Sequence, residues 1–325
     1  MRASAGVMAL LTPVLVLASA LPAAPGGGEK PAGRRVKVAA IAIGCGGEYQ
    51  AKMKLAREHL EVAGKSGVDV ACLPEEFAGF KAEPIPGPTT DAIGALARKH
   101  KMYVVCPIRE QAGTEQFNTA VLLDREGKVA GRYRKIYVFW GEGLVPGREA
   151  VRAFDTDFGR VGIFTCFDLN FAELWHQAEL QGVEMVLWPS AYGGGSPLNA
   201  YAGLHQYYVV AVGAGSLIDV TGRTLDGPEV QKPLPGLSIA TFDLDRTFVH
   251  TNFNEAKVQK LLKEHPGEVE LEKFYEPEAW YLLRSTRPGV RVGELLKKYQ
   301  IESLREYRHR SRRQIDEARK AGKPV

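Results

Sequence analysis

The chain has 325 residues and a mass of 35.6 kDa, enough for one large hydrophobic core or two modest domains. With 45% hydrophobic and 25% charged residues, wholesale disorder is excluded, and a net charge of +4 gives no compositional support for nucleic-acid binding. Four cysteines, Cys45, Cys72, Cys106 and Cys166, are too few and too far apart for a disulfide scaffold or a local zinc motif.

Arg2 is followed by an apolar run from Val7 to Leu17 and then by Ala18, Ser19 and Ala20, the small-residue pattern of a signal-peptide cleavage site. Residues 1–24 are therefore expected to be a signal peptide cleaved near 20–24, and the protein to be secreted or periplasmic, with no stable membrane association afterwards. The alternative is an N-terminal membrane anchor, because apolar character continues through Ala24; Pro13 interrupts that stretch, which barely reaches spanning length. Residues 25–35, with Gly26, Gly27, Gly28, Pro31 and Gly33, read as a flexible lead.

Val36 to Ile43 reads as a buried strand, Met53, Ala56, Leu60 and Ala63 recur on one helical face, and Val68 to Leu73 is a second strand ending in the polar break Pro74, Glu75, Glu76. Thr89 or Thr90 is expected to cap a helix carrying Ile93, Leu96 and Ala97, which leads into a strand over Met102 to Cys106. Thr119 to Leu123 and Val129 to Tyr133, joined by the turn Asp124 to Gly127, form a hairpin pattern, so the sheet is mixed. A second set of units follows: strand Val161 to Phe164, a helix with Leu174 and Ala178, strand Glu184 to Leu187, helical sequence into strand Tyr208 to Val212, and a late strand Ser238 to Leu244. Helices between strands in both halves leave one face of each sheet to be buried against the other. The expected fold is α/β, a four-layer α-β-β-α sandwich with two mixed β-sheets, over residues 36–285. From 286 to 325 charge dominates; this extension is expected to be a solvated arm whose Leu295, Leu296, Tyr299, Ile301 and Leu304 contact a neighbouring subunit.

Cys72 and Cys106 lie in apolar strand-like runs and read as buried thiols, whereas Cys166 directly follows an apolar strand and precedes polar residues able to begin a helix. A side chain at such an elbow projects into a cleft while nearby backbone N–H groups face a developing oxyanion, the arrangement that covalent acyl transfer requires. None of the seven histidines stands in a paired motif that would supply a base. Glu75, at the end of the Cys72 strand, is a candidate base, and Lys135, after the second hairpin strand, a candidate cation; Glu142 follows in a loop of bulky and small residues. Taken singly, the commoner meanings are an inert core thiol, a surface glutamate and an exposed lysine.

Together, Leu-Pro-Glu at Glu75, Tyr-Arg-Lys at Lys135 and Gly-Ile-Phe-Thr-Cys-Phe-Asp at Cys166 resemble, in order and spacing, the three signatures of the nitrilase superfamily, or carbon–nitrogen hydrolases. The resemblance runs roughly from Val36 to Arg284 and takes in Phe117-Asn118-Thr119-Ala120 and Trp188-Pro189-Ser190-Ala191. It implies Glu75 as general base, Lys135 as oxyanion stabiliser, Cys166 as nucleophile and Glu142 as the group positioning the lysine or substrate. The implied reaction is hydrolysis of a non-peptide carbon–nitrogen bond in a small amide or carbamoyl compound through a cysteine thioester, releasing ammonia or an amine, with no cofactor and no metal. Nitrile hydrolysis, acyl transfer on the same site and a catalytically inactive binding protein are the alternatives. The backbone N–H of Phe167 is expected at the oxyanion, and Tyr137, Phe139, Trp140, Tyr192 and Asn170 near the substrate, with Phe80 and the loop Gly193 to Ser196. The resemblance further implies a small-molecule partner and a homodimer or larger homo-oligomer.

Some positions depart from the common pattern. Asn170 stands where many members have arginine, and with Trp175 looks closer to the aliphatic amidase branch; Tyr137 replaces a frequent histidine; and Tyr201 to His205 displaces a signature that normally carries a glutamate.

Overall fold

The computed structural model describes residues 32–325, so the expected signal peptide and most of the lead lie outside the described residues. The first half runs β1 (Arg35–Ile41), α1 (Tyr49–Lys65), β2 (Val70–Cys72), α2 (Pro88–His100), β3 (Tyr103–Ala112), β4 (Glu115–Leu123) and β5 (Val129–Arg134). The second half runs β6 (Ala153–Asp155), β7 (Arg160–Ile163), α3 (Ala172–Leu180), β8 (Met185–Trp188), α4 (Ser196–His205), β9 (Tyr208–Ala211) and β10 (Ser216–Ile218). Then come β11 (Gln231–Leu234), β12 (Leu237–Asp243), β13 (Thr247–His250), α5 (Glu255–Glu264), β14 (Val269–Tyr275), β15 (Trp280–Ser285), α6 (Val292–Lys298) and α7 (Leu304–Ala321).

Seven strands form one sheet in the order β11-β12-β1-β2-β3-β4-β5, and five form another, β10-β9-β8-β7-β6. Both are mixed: β1-β2-β3 and β7-β8-β9 are parallel, while the flanking pairs are antiparallel. The pleat of β1 shows why they stack. Ala39 and Ile41 point to one face and pack with Met53, Ala56 and Leu60 of α1 and Ile93 and Ala97 of α2. Val36, Val38 and Ala40 point to the other and share a core with Val161, Ile163, Val186 and Val209 of the second sheet. Leu174, Trp175 and Ala178 of α3 and Leu198 and Ala202 of α4 belong to that same core, and the result is the expected α-β-β-α sandwich.

Three features differ from expectation. The cap of α2 falls on Gly87, not on Thr89 or Thr90, because Pro88, with its fixed φ, occupies the first turn; Thr90 instead reaches back, its Oγ1 accepting from Gly87 N at 2.8 Å. A third, three-stranded antiparallel sheet, β13-β15-β14, follows β12 and buries Val249, Val269 and Leu283 against Val258 and Leu261 of α5 and Val292 and Leu296 of α6. The start of the charged C-terminal helix is docked on the rest of the chain, while residues 312–315, 317 and 319–325 are exposed. Ser303 and Glu306 form a capping box at the start of α7. Arg305 then donates to the backbone oxygens of Val183, His205 and Gln206, and Arg308 to that of Leu204, at 2.6–2.9 Å. Basic side chains thus meet the unpaired carbonyls at the C-terminus of α4, where the helix dipole favours positive charge. Leu296, Ile301 and Leu304 are buried within this same chain.

Candidate active site

The ends of β2, β5, β7 and β8 bring Glu75, Lys135, Cys166 and Ala191 to one place. Glu75 follows β2 by three residues and is buried. Its Oε1 accepts from Lys135 Nζ at 2.9 Å and from Asn118 Nδ2 at 2.8 Å, and its Oε2 accepts from Ala191 N at 3.0 Å. Lys135 directly follows β5 and its side chain is fully inaccessible to solvent, so the ammonium persists only because carboxylates flank it. The second carboxylate is Glu142, which bonds Lys135 Nζ through Oε1 and also accepts from Phe139 N at 3.1 Å and, through Oε2, from Asn118 Nδ2 at 3.2 Å. Asn118 therefore ties both carboxylates together from within β4, where it pairs with Arg109 of β3. Sequence reasoning placed it inside a matching segment but gave it no role, since an asparagine within a strand carries no charge signal.

Cys166 sits in a short 3₁₀ turn, Cys166–Asn170, with φ of 49°, a left-handed backbone that a non-glycine residue adopts at a cost. Asp168 holds this elbow. Its Oδ2 accepts from Thr165 N (2.9 Å) and Tyr133 Oη (2.8 Å) and its Oδ1 from Tyr137 N (2.8 Å), while Cys166 N donates to Pro189 O at 3.0 Å. Burial pushes the Asp168 carboxyl up to about 7 despite these three donors. The Cys166 thiol shares its cavity with Glu75. Burial and then the Glu75 charge push it up to about 12, with the Lys135 cation opposing, so the resting sulfur keeps its proton. Burial works against the charge on Lys135, yet Glu75, Cys166 and Glu142 outweigh it and hold the ammonium above its ordinary range.

The thiol opens into a cavity of about 350 Å³ with the carboxylates of Glu75, Glu76 and Glu142 in its lining and Phe80, Phe139, Phe167 and Tyr192 as aromatic walls. Cys45, which the sequence left unassigned, lines the same space. Gly213 permits the wall to close: a Cβ there would meet Tyr192 O at 1.8 Å. Three expected substrate residues do not line this cavity. Tyr137 stacks on Phe171 at 3.5 Å and donates from Oη to Glu173, Trp140 is 87% exposed, and Asn170 is an exposed residue bonded to Phe167 O. Glu76 is likewise not a surface residue. It is buried and paired with Arg109 at 2.7 Å, its own backbone left-handed at φ 42°.

A thiol and a carboxylate lining one largely apolar cavity, with a buried ammonium bonded to that carboxylate, are the groups that nucleophilic acyl-transfer chemistry uses. Residues 37–247 match the model of the family described as carbon-nitrogen hydrolase, and the chain belongs to that family and so to the hydrolases. It is 25% identical over 294 residues to the N-carbamoylputrescine amidase of Oryza sativa subsp. japonica, a match covering 82% of this chain and 96% of the relative. It is 26% identical over 179 residues to the N-carbamoylputrescine amidase of Solanum lycopersicum, a match covering 49% of this chain and 60% of that relative's length. Among solved structures, a glutamate-to-glutamine mutant of the amidase from Nesterenkonia sp. AN1 shows covalent addition of the acetamide moiety of fluoroacetamide at its active-site cysteine. It superposes with a TM-score of 0.54 at 18% identity, covering 67% of this chain and 94% of that one, a likeness of fold.

Proposed function

We propose that this protein hydrolyses the carbon–nitrogen bond of a small amide or carbamoyl compound through a thioester on Cys166. The observation that carries the proposal is the shared position of Glu75, which meets the Lys135 ammonium at 2.9 Å and lines one cavity with Cys166. Because the thiol is protonated at rest, attack is coupled to transfer of its proton to Glu75 as sulfur bonds to the carbonyl carbon. Negative charge gathering on the substrate oxygen is met by Lys135 and by the backbone N–H of Phe167. Glu75 then gives that proton to the leaving nitrogen, takes another from water as its oxygen attacks the thioester carbon, and passes it to the departing Cys166 sulfur as the acid is released and the resting thiol restored. Glu142 and Asn118 position Lys135 and Glu75 without touching the reacting atoms in this scheme. The aromatic walls formed by Phe80, Phe139, Phe167 and Tyr192 favour an apolar acyl group on a small substrate over a charged one.

The test is a panel of amides, carbamoyl compounds and nitriles, with ammonia and acid products measured together and the intact protein weighed during turnover. The expected result is equimolar ammonia and acid from an apolar amide and an acyl adduct on Cys166 that C166A does not form. An adduct on Cys45 instead, or turnover that survives C166A, would refute the proposal.

A further inference from the structure

We propose that His176, Glu179, His205 and His309 form a site for one divalent transition-metal ion of the zinc type, which fastens α7 to the helices of the second sheet. The four side chains come from three helices. His176 and Glu179 are one turn apart on α3, His205 ends α4, and His309 lies on α7. Glu179 is the hub: its Oε2 is 2.6 Å from His205 Nδ1 and 3.4 Å from His176 Nδ1, and its Oε1 is 3.4 Å from His309 Nε2. The donor atoms of His176, Glu179 and His205 all lie within 4.8 Å of one another, and among the described residues no other group of three or more His, Cys, Asp or Glu is so arranged. A tetrahedral ion with metal–donor bonds of about 2.1 Å requires donors about 3.4 Å apart, the spacing that Glu179 already has to His176 through Oε2 and to His309 through Oε1.

A second, independent observation points the same way. His309 Nε2 is shielded from solvent and makes no hydrogen bond, and its 3.4 Å contact with Glu179 Oε1 is an ion pair only when the imidazole is protonated, so the neutral ring leaves a shielded nitrogen facing the carboxylate. A cavity of about 620 Å³ bounded by His176, Glu179, His205, His309 and Arg312 gives an ion and its water a way in. Three imidazoles and one carboxylate suit zinc, cobalt or nickel; magnesium and calcium prefer all-oxygen sites.

Three arginines oppose a cation here, and they do so unequally. Arg305 and Arg308 are committed to backbone carbonyls of Val183, Leu204, His205 and Gln206. Exposed Arg312 instead places a guanidinium nitrogen 2.5 Å from His176 Nε2, which must accept that bond and so carries its proton on Nδ1, the atom facing Glu179. Metal at Nδ1 demands the opposite tautomer, so Arg312 must swing away on loading. Replacing it should therefore tighten binding, an effect that a purely structural role for these residues does not produce.

The experiment strips the full-length protein with a chelator and titrates zinc against a chromophoric competitor, with cobalt as the spectroscopic probe. Expected are one ion per chain, the intense visible bands of tetrahedral cobalt, at least tenfold weaker binding in H205N and in H309N, and several-fold tighter binding in R312Q. C166A should bind as the wild type does, which separates this site from the cysteine and makes its failure independent of the proposed amidase activity. His309 lies on the partly exposed α7, so H309N and R312Q keep the test open if H205N does not fold. Absence of stoichiometric binding, an octahedral cobalt spectrum, or an affinity indifferent to H309N and R312Q would overturn the proposal.

Discussion

Replacing Glu75 by glutamine moves two observables in opposite directions. The carboxylate lines the same cavity as the Cys166 thiol, and its charge is one reason, after burial, that the thiol sits up at about 12. Neutralising that charge while Lys135 stays charged removes a raising influence and leaves a lowering one, so the thiol titrates lower than in the wild type. On thiolate supply alone, E75Q should be the faster enzyme. The proposed mechanism demands the reverse, because the carboxylate also receives the thiol proton, protonates the leaving nitrogen and activates water. Loss of general acid–base work is expected to reduce kcat by about 10²–10⁴-fold, or about 3–5 kcal/mol of barrier. The thiolate is followed by its ultraviolet absorbance as a function of pH, as the difference from C166A so that Cys45, Cys72 and Cys106 cancel, and kcat by ammonia release. An E75Q enzyme with kcat within tenfold of wild type, or one whose Cys166 titrates higher than in the wild type, would refute this assignment of roles.

Lys135→Met leaves Glu75 and Glu142 facing each other in a buried site without their cation; unfolding free energy should fall by about 3–5 kcal/mol and kcat by at least about a hundredfold, read by denaturant titration and ammonia release. Unchanged turnover in a folded K135M protein would remove the oxyanion role. Glu76→Gln weakens the buried pair with Arg109 and is expected to cost about 1–3 kcal/mol of stability while kcat stays within a few-fold. A loss of kcat as large as that of E75Q would mean that the two neighbouring glutamates have been assigned the wrong way round.

The sandwich was legible because its strands are short apolar runs bounded by glycine, proline and charge, and because α1 and α2 keep their apolar residues on one face, as at Met53, Ala56, Leu60 and Ala63. The meeting of Glu75, Lys135 and Cys166 was legible only through motif order, since nothing in their separation along the chain brings three strand ends together. The third sheet was not legible. Strand β14 reads Val-Glu-Leu-Glu-Lys-Phe-Tyr, a bulge between Leu271 and Lys273 shifts its register, and its charges mask a strand pattern. Glu76 was hidden for a different reason, because its burial depends on Arg109 from β3, thirty-three residues away. The docking of α7 and the histidine cluster were illegible for the same reason in stronger form. Position 309 lies more than a hundred residues from its nearest partner, and a helix rich in arginine looks solvated until the carbonyls it satisfies are seen.

The left-handed backbone at Cys166 also limits which chemistries this scaffold can explore. At positive φ a β-branched side chain clashes with its own main chain, so a threonine nucleophile is closed to it, whereas serine, asparagine, aspartate and glycine fit the same turn. Drift at this codon therefore leads to a weaker hydroxyl nucleophile or to an inert binding protein long before it leads to a threonine hydrolase. The elbow thus selects against branching at the β-carbon, not for sulfur itself.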